Sequence, residues 1–229
     1  YTNVSDIPET EYYRNGVNGY NELFISMKND ISFRGIPCRK SKFSEKHGGA
    51  IGPYLILHPD GSLKEAELSR DIIINGIPAA EGGDIFLNKS GKLRYTLLSK
   101  NFIIQGIPCA GQKPVYFYDG GELSGCDLSE VFTKNEIVFK PDSSASFYSD
   151  GSIWEVTLEK AYTLNQIQFK KWDRLTFHEN GSLKEARVYF PDDKKGITVE
   201  NQFYAGNHIF TFAKNGKLIS AERFYSGGS

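Results

Sequence analysis

An all-β tandem array of antiparallel hairpins, drawn out as a twisted sheet or roll, is the fold this sequence predicts. Three observations predict it. A glycine returns at one fixed interval, apolar residues keep a fixed register on both sides of it, and the composition favours strands and turns. The alternative with the same period is a parallel β-solenoid, with one thirty-residue interval per coil.

The glycines are Gly61, Gly91, Gly121, Gly151 and Gly181, with Gly216 following after a longer step, so the last unit carries an insertion. Each follows Asp60, Ser90, Gly120, Asp150, Asn180 or Asn215. Asp-Gly and Asn-Gly between apolar alternations are a strong hairpin signal, because a two-residue turn needs positive φ at both positions. Four residues before the glycine stand Leu57, Leu87, Phe117, Phe147, Phe177 and Phe212; six before stand Leu55, Ile85, Val115, Ala145, Leu175 and Phe210. That period of two marks a strand with one buried face. Two residues after the glycine comes a column of Leu63, Leu93, Leu123, Ile153, Leu183 and Leu218, and five after it Ala66, Thr96, Cys126, Val156, Ala186 and Ala221. The step from two to five breaks the alternation and predicts a bulge.

A second motif follows the turn glycine at a constant distance. It is Gly76–Ala79 after Gly61 and Gly106–Cys109 after Gly91, with an earlier copy at Gly35–Cys38. Later copies keep Ile137, Ile167 and Ile197, and Gly196 restores the glycine. Pro78 and Pro108 lack an N–H and suit an edge or a bulge. About three strands per unit are expected. Residues 1–18 read as a polar lead-in or cap. Residues 19–229 read as one β-repeat domain: a degenerate unit at 19–53, tandem units at 54–208 and a truncated unit at 209–229. Terminal units of arrays are commonly atypical because they close the core.

Composition agrees. Of 229 residues, 39% are hydrophobic and 24% charged, as in soluble folded chains. With 13 Tyr, 16 Phe, 23 Gly and 1 Met, the mix favours strands and turns over helices. A net charge of −1 gives no global field for nucleic acid or an anionic membrane. No apolar run approaches the roughly 20 residues of a transmembrane helix. The chain opens at Tyr1 without Met or an apolar leader, which fits either a trimmed chain or a mature form whose targeting segment has been removed.

The stretches FYDGGELSGCDLSE, LHPDGSLKEAELSRDIIINGIPA and LNKSGKLRYTLLSKNFIIQGIPC resemble the repeats of a group of uncharacterised exported bacterial proteins with units of the form FxxNGxLxxxxLxxDxxIxGIPC. More distantly they are similar to MORN-type repeats, which pair a Tyr/Phe strand with an Asn-Gly turn. The resemblance covers nearly the whole repeat domain and implies repeat architecture. It also implies an exported location, periplasmic or at the outer surface, lipid-anchored through a segment outside this chain. The unit length and the GIPC motif depart from the MORN pattern, so MORN-linked lipid or kinase roles are not carried over.

No catalytic signature stands out. GxSxG, the P-loop and the dinucleotide fingerprint are all missing. Of His47, His58, His178 and His208, only His58 and His178 share a repeat position, and four units separate them. No metal site and no cofactor are expected. Cys38 and Cys109 share the last GIPC position, while Cys126 sits in a column of small residues; all three read as buried thiols. Without CxxC, zinc is not expected. The turn residues Asp60 and Asp150 read as turn chemistry. The basic clusters Arg39, Lys40, Lys42, Lys46 and Lys170, Lys171, Arg174 read as solvated loops, with no nucleic-acid partner.

Three function classes remain: a non-catalytic exported binding or scaffolding module, a purely structural envelope component, and an enzyme whose residues converge from several units. The first is preferred. Residues three and five before each turn glycine alternate with the buried ones and face away from them. Among them Phe86, Tyr116, Tyr118, Tyr148, His58 and His178 are the candidate contacts for a protein or glycan partner. Tyr pairs an apolar ring with a polar tip, which suits recognition. The competing reading is that these rings stabilise the sheet by cross-strand pairing.

Overall fold

The computed structural model describes residues 12–17, 22–44, 49–190, 192 and 194–225. The chain groups into two compact units: residues 1–104 with 111–122, and residues 105–110 with 123–229. All described strand pairings are antiparallel, which sets aside the parallel solenoid and establishes the hairpin array.

In the first unit a meandering sheet runs Tyr12–Val17, Leu23–Met27, Leu55–Leu57, Leu63–Glu67, Asp84–Leu87, Leu93–Leu97, Pro114–Phe117. Tyr12–Val17, part of the lead-in expected from sequence, is thus a strand paired with Leu23–Met27. In the second unit the order is Leu123–Asp127, Ser144–Phe147, Ile153–Thr157, Arg174–Phe177, Leu183–Val188, His208–Phe212, Leu218–Arg223.

The turns joining these strands differ from the expected two-residue form. At Tyr148–Gly151 the Gly151 N–H donates to the Tyr148 carbonyl at 2.9 Å, and the Tyr148 N–H donates to the Ser152 carbonyl at 2.9 Å. Only Gly151 has positive φ, at 80°; Asp150 does not. This is a type I turn followed by one left-handed residue, which needs a single glycine. The bulge lies where the columns predict it. Phe86 pairs with Tyr95 but Leu87 with Leu93, leaving Arg94 as the extra residue. The same shift recurs at Ile56/Leu57, Ser146/Phe147, Thr176/Phe177 and Thr211/Phe212.

Each full repeat contributes four strands rather than three. Ser144–Phe147 and Ile153–Thr157 join the sheet, while Tyr162–Leu164 and Ile167–Phe169 form a separate small hairpin. The GIP motif opens the second strand of such hairpins, and the residues before it make the turn. Asn75 and Gly76 have φ of 50° and 82°, and Asn135–Glu136 and Asn165–Gln166 repeat the pattern. Here both positions are left-handed, so the two-residue turn belongs to the small hairpin. Asn75 also ties this turn to the sheet, because its Oδ1 accepts the Leu93 N–H at 2.8 Å, next to the bulge. In the last full repeat the turn is Glu200–Asn201. Gly196 therefore starts the first strand of its hairpin and is not the turn glycine. The inserted residues precede this hairpin and push its turn downstream.

The core lies between the sheet and the small hairpins. The columns four and six before the turn glycine are buried throughout; those two and five after it are buried from Leu63 and Ala66 to Leu183 and Ala186, and only half-buried at Leu218 and Ala221. Ala79 bridges to Leu98, and Phe139 to Leu158. The Pro78 carbonyl accepts the Ser99 N–H at 2.9 Å, so the proline loses a donor without orphaning its acceptor.

A methyl group added at Gly76 would meet no atom within 4 Å, so the requirement for glycine there is purely conformational. Gly76→Ala is expected to cost about 1–2 kcal/mol, the strain of a left-handed residue bearing Cβ. Urea unfolding of the pair checks this, and an unchanged midpoint would contradict the two-residue turn.

Candidate binding face

Strand alternation sends residues five before the turn glycine to the face opposite the small hairpins. In the first unit they fall into a continuous cross-strand row. Phe24 pairs with Ile56, Ile56 with Glu65, Glu65 with Phe86, Phe86 with Tyr95, and Tyr95 with Tyr116. The Phe86 and Tyr95 ring centroids are 5.3 Å apart, and those of Tyr95 and Tyr116 5.2 Å. Ile56, Phe86 and Tyr95 are half-buried, and Tyr116 is 48% exposed. Glu65 sits within this row. Burial first, then the nearby Asp84, raises its carboxyl above the usual range; Asp84 is itself exposed, and partial desolvation raises its carboxyl too.

The same face of the second unit is polar. Its row runs Gly125, Ser146, Glu155, Thr176, Glu185, Thr211, Ser220. Arg174 pairs with Glu155 at 2.5 Å. Trp154 and Trp172 are exposed in this unit but stand outside the row.

The structure therefore separates the six sequence candidates. Phe86 and Tyr116 belong to the aromatic row. His58, Tyr148 and His178, three residues before the turn glycine, are instead the first residues of the turn, and each bonds the following repeat. His58 Nε2 lies 3.0 Å from the Leu87 carbonyl, and His178 Nε2 3.1 Å from that of Phe212. A carbonyl only accepts, so these nitrogens carry the proton. Tyr148 donates its hydroxyl to the Phe177 carbonyl at 2.8 Å. Tyr118 is half-buried in the same column. Tyr95 escapes the sequence reading because it follows the bulge, where simple alternation no longer tells which face a residue takes. Ile73 and Ile103, exposed on the small hairpins, escape it too.

Other candidate chemistry resolves into scaffold. Ser62 donates to Asp60 from its hydroxyl at 2.6 Å and its amide at 2.9 Å, and these bonds hold the Asp60 carboxyl below its usual range. His208 is buried beside Tyr204 and Phe210. His47 and Lys46 lie outside the described residues. A groove of about 620 Å³ borders Arg39, Lys40 and Lys42, but Arg39 is tied to Glu67 at 3.1 Å and Glu81 at 2.8 Å. No cluster of three or more His, Cys, Asp or Glu fit to hold a metal occurs among the described residues. No helix is long and apolar enough to cross a membrane among them.

No protein-family model and no curated protein matches the chain.

Proposed function

We propose that the chain is a non-catalytic binding module that recognises a partner protein through the aromatic row of its first unit. One observation carries this reading: Ile56, Phe86, Tyr95 and Tyr116 stand in register on the sheet face opposite the small hairpins, with Glu65 among them. Half-buried rings give contact area at low entropic cost. Glu65 and Asp84 are partly desolvated carboxylates, so a cation docking there would be favoured by charge pairing and by the neighbouring ring faces. The partner chemistry that fits is a protein segment carrying Lys or Arg among apolar side chains. The tilted packing of the rings, with interplanar angles of 69° and 55°, supports a peptide over a glycan, which stacks on flat, open ring faces. The likeness of the repeats to those of exported bacterial proteins supports an extracytoplasmic location.

The test is a binding screen with synthetic peptides that combine basic and apolar residues, alongside a glycan array. Saturable peptide binding is expected. Tyr95→Ser with Tyr116→Ser should weaken it at least tenfold, and Glu65→Gln should weaken it too, while melting changes little. Peptide binding indifferent to all three substitutions, or a glycan bound through the same row, would overturn this reading.

A further inference from the structure

Independently of that face, we propose that Cys109 and Cys126 are a disulfide-forming pair that locks the strand Ile107–Cys109 onto the sheet of the second unit. All three cysteines are buried thiols in this structure. The Cys109 and Cys126 sulfurs are only 2.7 Å apart. Non-bonded heavy atoms settle at about 3.5–4.0 Å, whereas a disulfide bond is about 2.05 Å long. Two thiols at this separation repel, and a shift of about 0.7 Å joins them.

The backbone holds the two residues in place. Cys109 is bridged to Leu128, with the Ser129 N–H donating to the Pro108 carbonyl at 2.9 Å and the Ala110 N–H to the Asp127 carbonyl at 2.8 Å. Cys126 lies two residues before Leu128, on the same buried face. The repeat makes the equivalent bridge at three other rungs. Ala79 bridges to Leu98 with Thr96 two residues before it, and Phe139 to Leu158 with Val156 before it. Cys38 bridges to Leu68, where the corresponding residue is Ala66. Only the rung of Cys109 and Cys126 carries two thiols, which leaves Cys38 free.

Cys109 is 0% exposed and Cys126 4%. A small oxidant does not reach them in the folded protein, so the bond forms while the strand Ile107–Cys109 is docking. The oxidant is a small-molecule disulfide. One cysteine thiolate attacks it and releases one thiolate, giving a mixed disulfide. The second cysteine displaces the other thiolate. One S–S bond forms, two S–H bonds are lost, the two protons end on the released thiols, and the two electrons reduce the oxidant. Once sealed, the same burial shields the bond from reductants.

The experiment uses the full chain, unfolded and reduced, then refolded in a glutathione buffer containing the oxidised form. After acid quench it is denatured, treated with N-ethylmaleimide and weighed. The expected mass carries one adduct per chain, on Cys38, and proteolysis yields a linked Cys109–Cys126 peptide pair. Cys126→Ala should carry two adducts. Wild-type protein refolded with a strong reductant should melt at least about 5 °C lower than the oxidised form, a difference missing from Cys126→Ala. Three adducts on wild type at every ratio of oxidised glutathione, or a linked pair that includes Cys38, overturns the proposal. The mass of the wild-type chain decides this even if the variant folds poorly.

Discussion

Phe147→Ala is expected to destabilise the second unit by about 3–5 kcal/mol, the usual cost of emptying a buried aromatic site. Phe147 is 0% exposed and stacks on Phe139, with centroids 6.2 Å apart. Phe147 comes from the sheet and Phe139 from the small hairpin Phe132–Lys134/Ile137–Phe139, so the contact reports how the two layers dock. The truncation removes the ring and leaves Phe139 facing a void. Denaturant unfolding measures it, with Thr163→Ala on the exposed side of the next hairpin as a control within about 0.5 kcal/mol of wild type. A loss below about 1 kcal/mol for Phe147→Ala would mean that the hairpins do not cover the sheet.

The second large effect is a pH dependence carried by Asp173. Its side chain is buried at 1% exposure, and burial pushes its carboxyl up to about 6, against the pull of the Lys170 and Tyr189 amides. In the unfolded chain it titrates near about 3.9. Between these values the folded state holds the proton that the unfolded state has released. Stability contributed by this residue is therefore full below about pH 4 and falls as pH rises through 6. The loss comes to roughly 3 kcal/mol. Asp173→Asn keeps an oxygen for one amide and cannot ionise. Wild type measured against this variant should lose that amount between about pH 4 and 7, since the other carboxylates cancel in the comparison. Parallel stability curves for the two proteins would contradict the assignment.

Much of the scaffold is legible in the sequence because the repeat multiplies each signal. One Phe four residues before a glycine says little, but Leu57, Leu87, Phe117, Phe147, Phe177 and Phe212 in one column fix a buried face, and the broken step after the glycine locates the bulge. What escapes the sequence depends on hydrogen bonds that a column cannot display. His58, Tyr148 and His178 alternate as if outward-facing, yet the strand ends one residue earlier and each side chain bonds a carbonyl of the following repeat. The two-residue turns are hidden inside the GIP motif, where Gly76 looks like part of a strand, and the two-residue turn that the sequence suggests for the sheet hairpins therefore belongs to the small ones. Gly196 misleads for a related reason, since an insertion upstream moves the turn to Glu200–Asn201. Comparing cysteines within one column matches Cys38 with Cys109. The pair that meets, Cys109 and Cys126, lies in two columns that the antiparallel bridge to Leu128 brings together. On the candidate face, Phe86 and Tyr116 are readable from alternation, and Tyr95 is not.

The most direct test of the hairpin array and its aromatic row is nuclear Overhauser spectroscopy across that row. Antiparallel hairpins put Phe86 beside Tyr95 and Tyr95 beside Tyr116. Strong cross-strand contacts between these pairs are expected, with Tyr95 always lying between Phe86 and Tyr116. A stack of parallel coils would instead set equivalent residues of successive repeats side by side, so direct backbone contacts between Phe86 and Tyr116, with none from either to Tyr95, would contradict the fold and the binding face together.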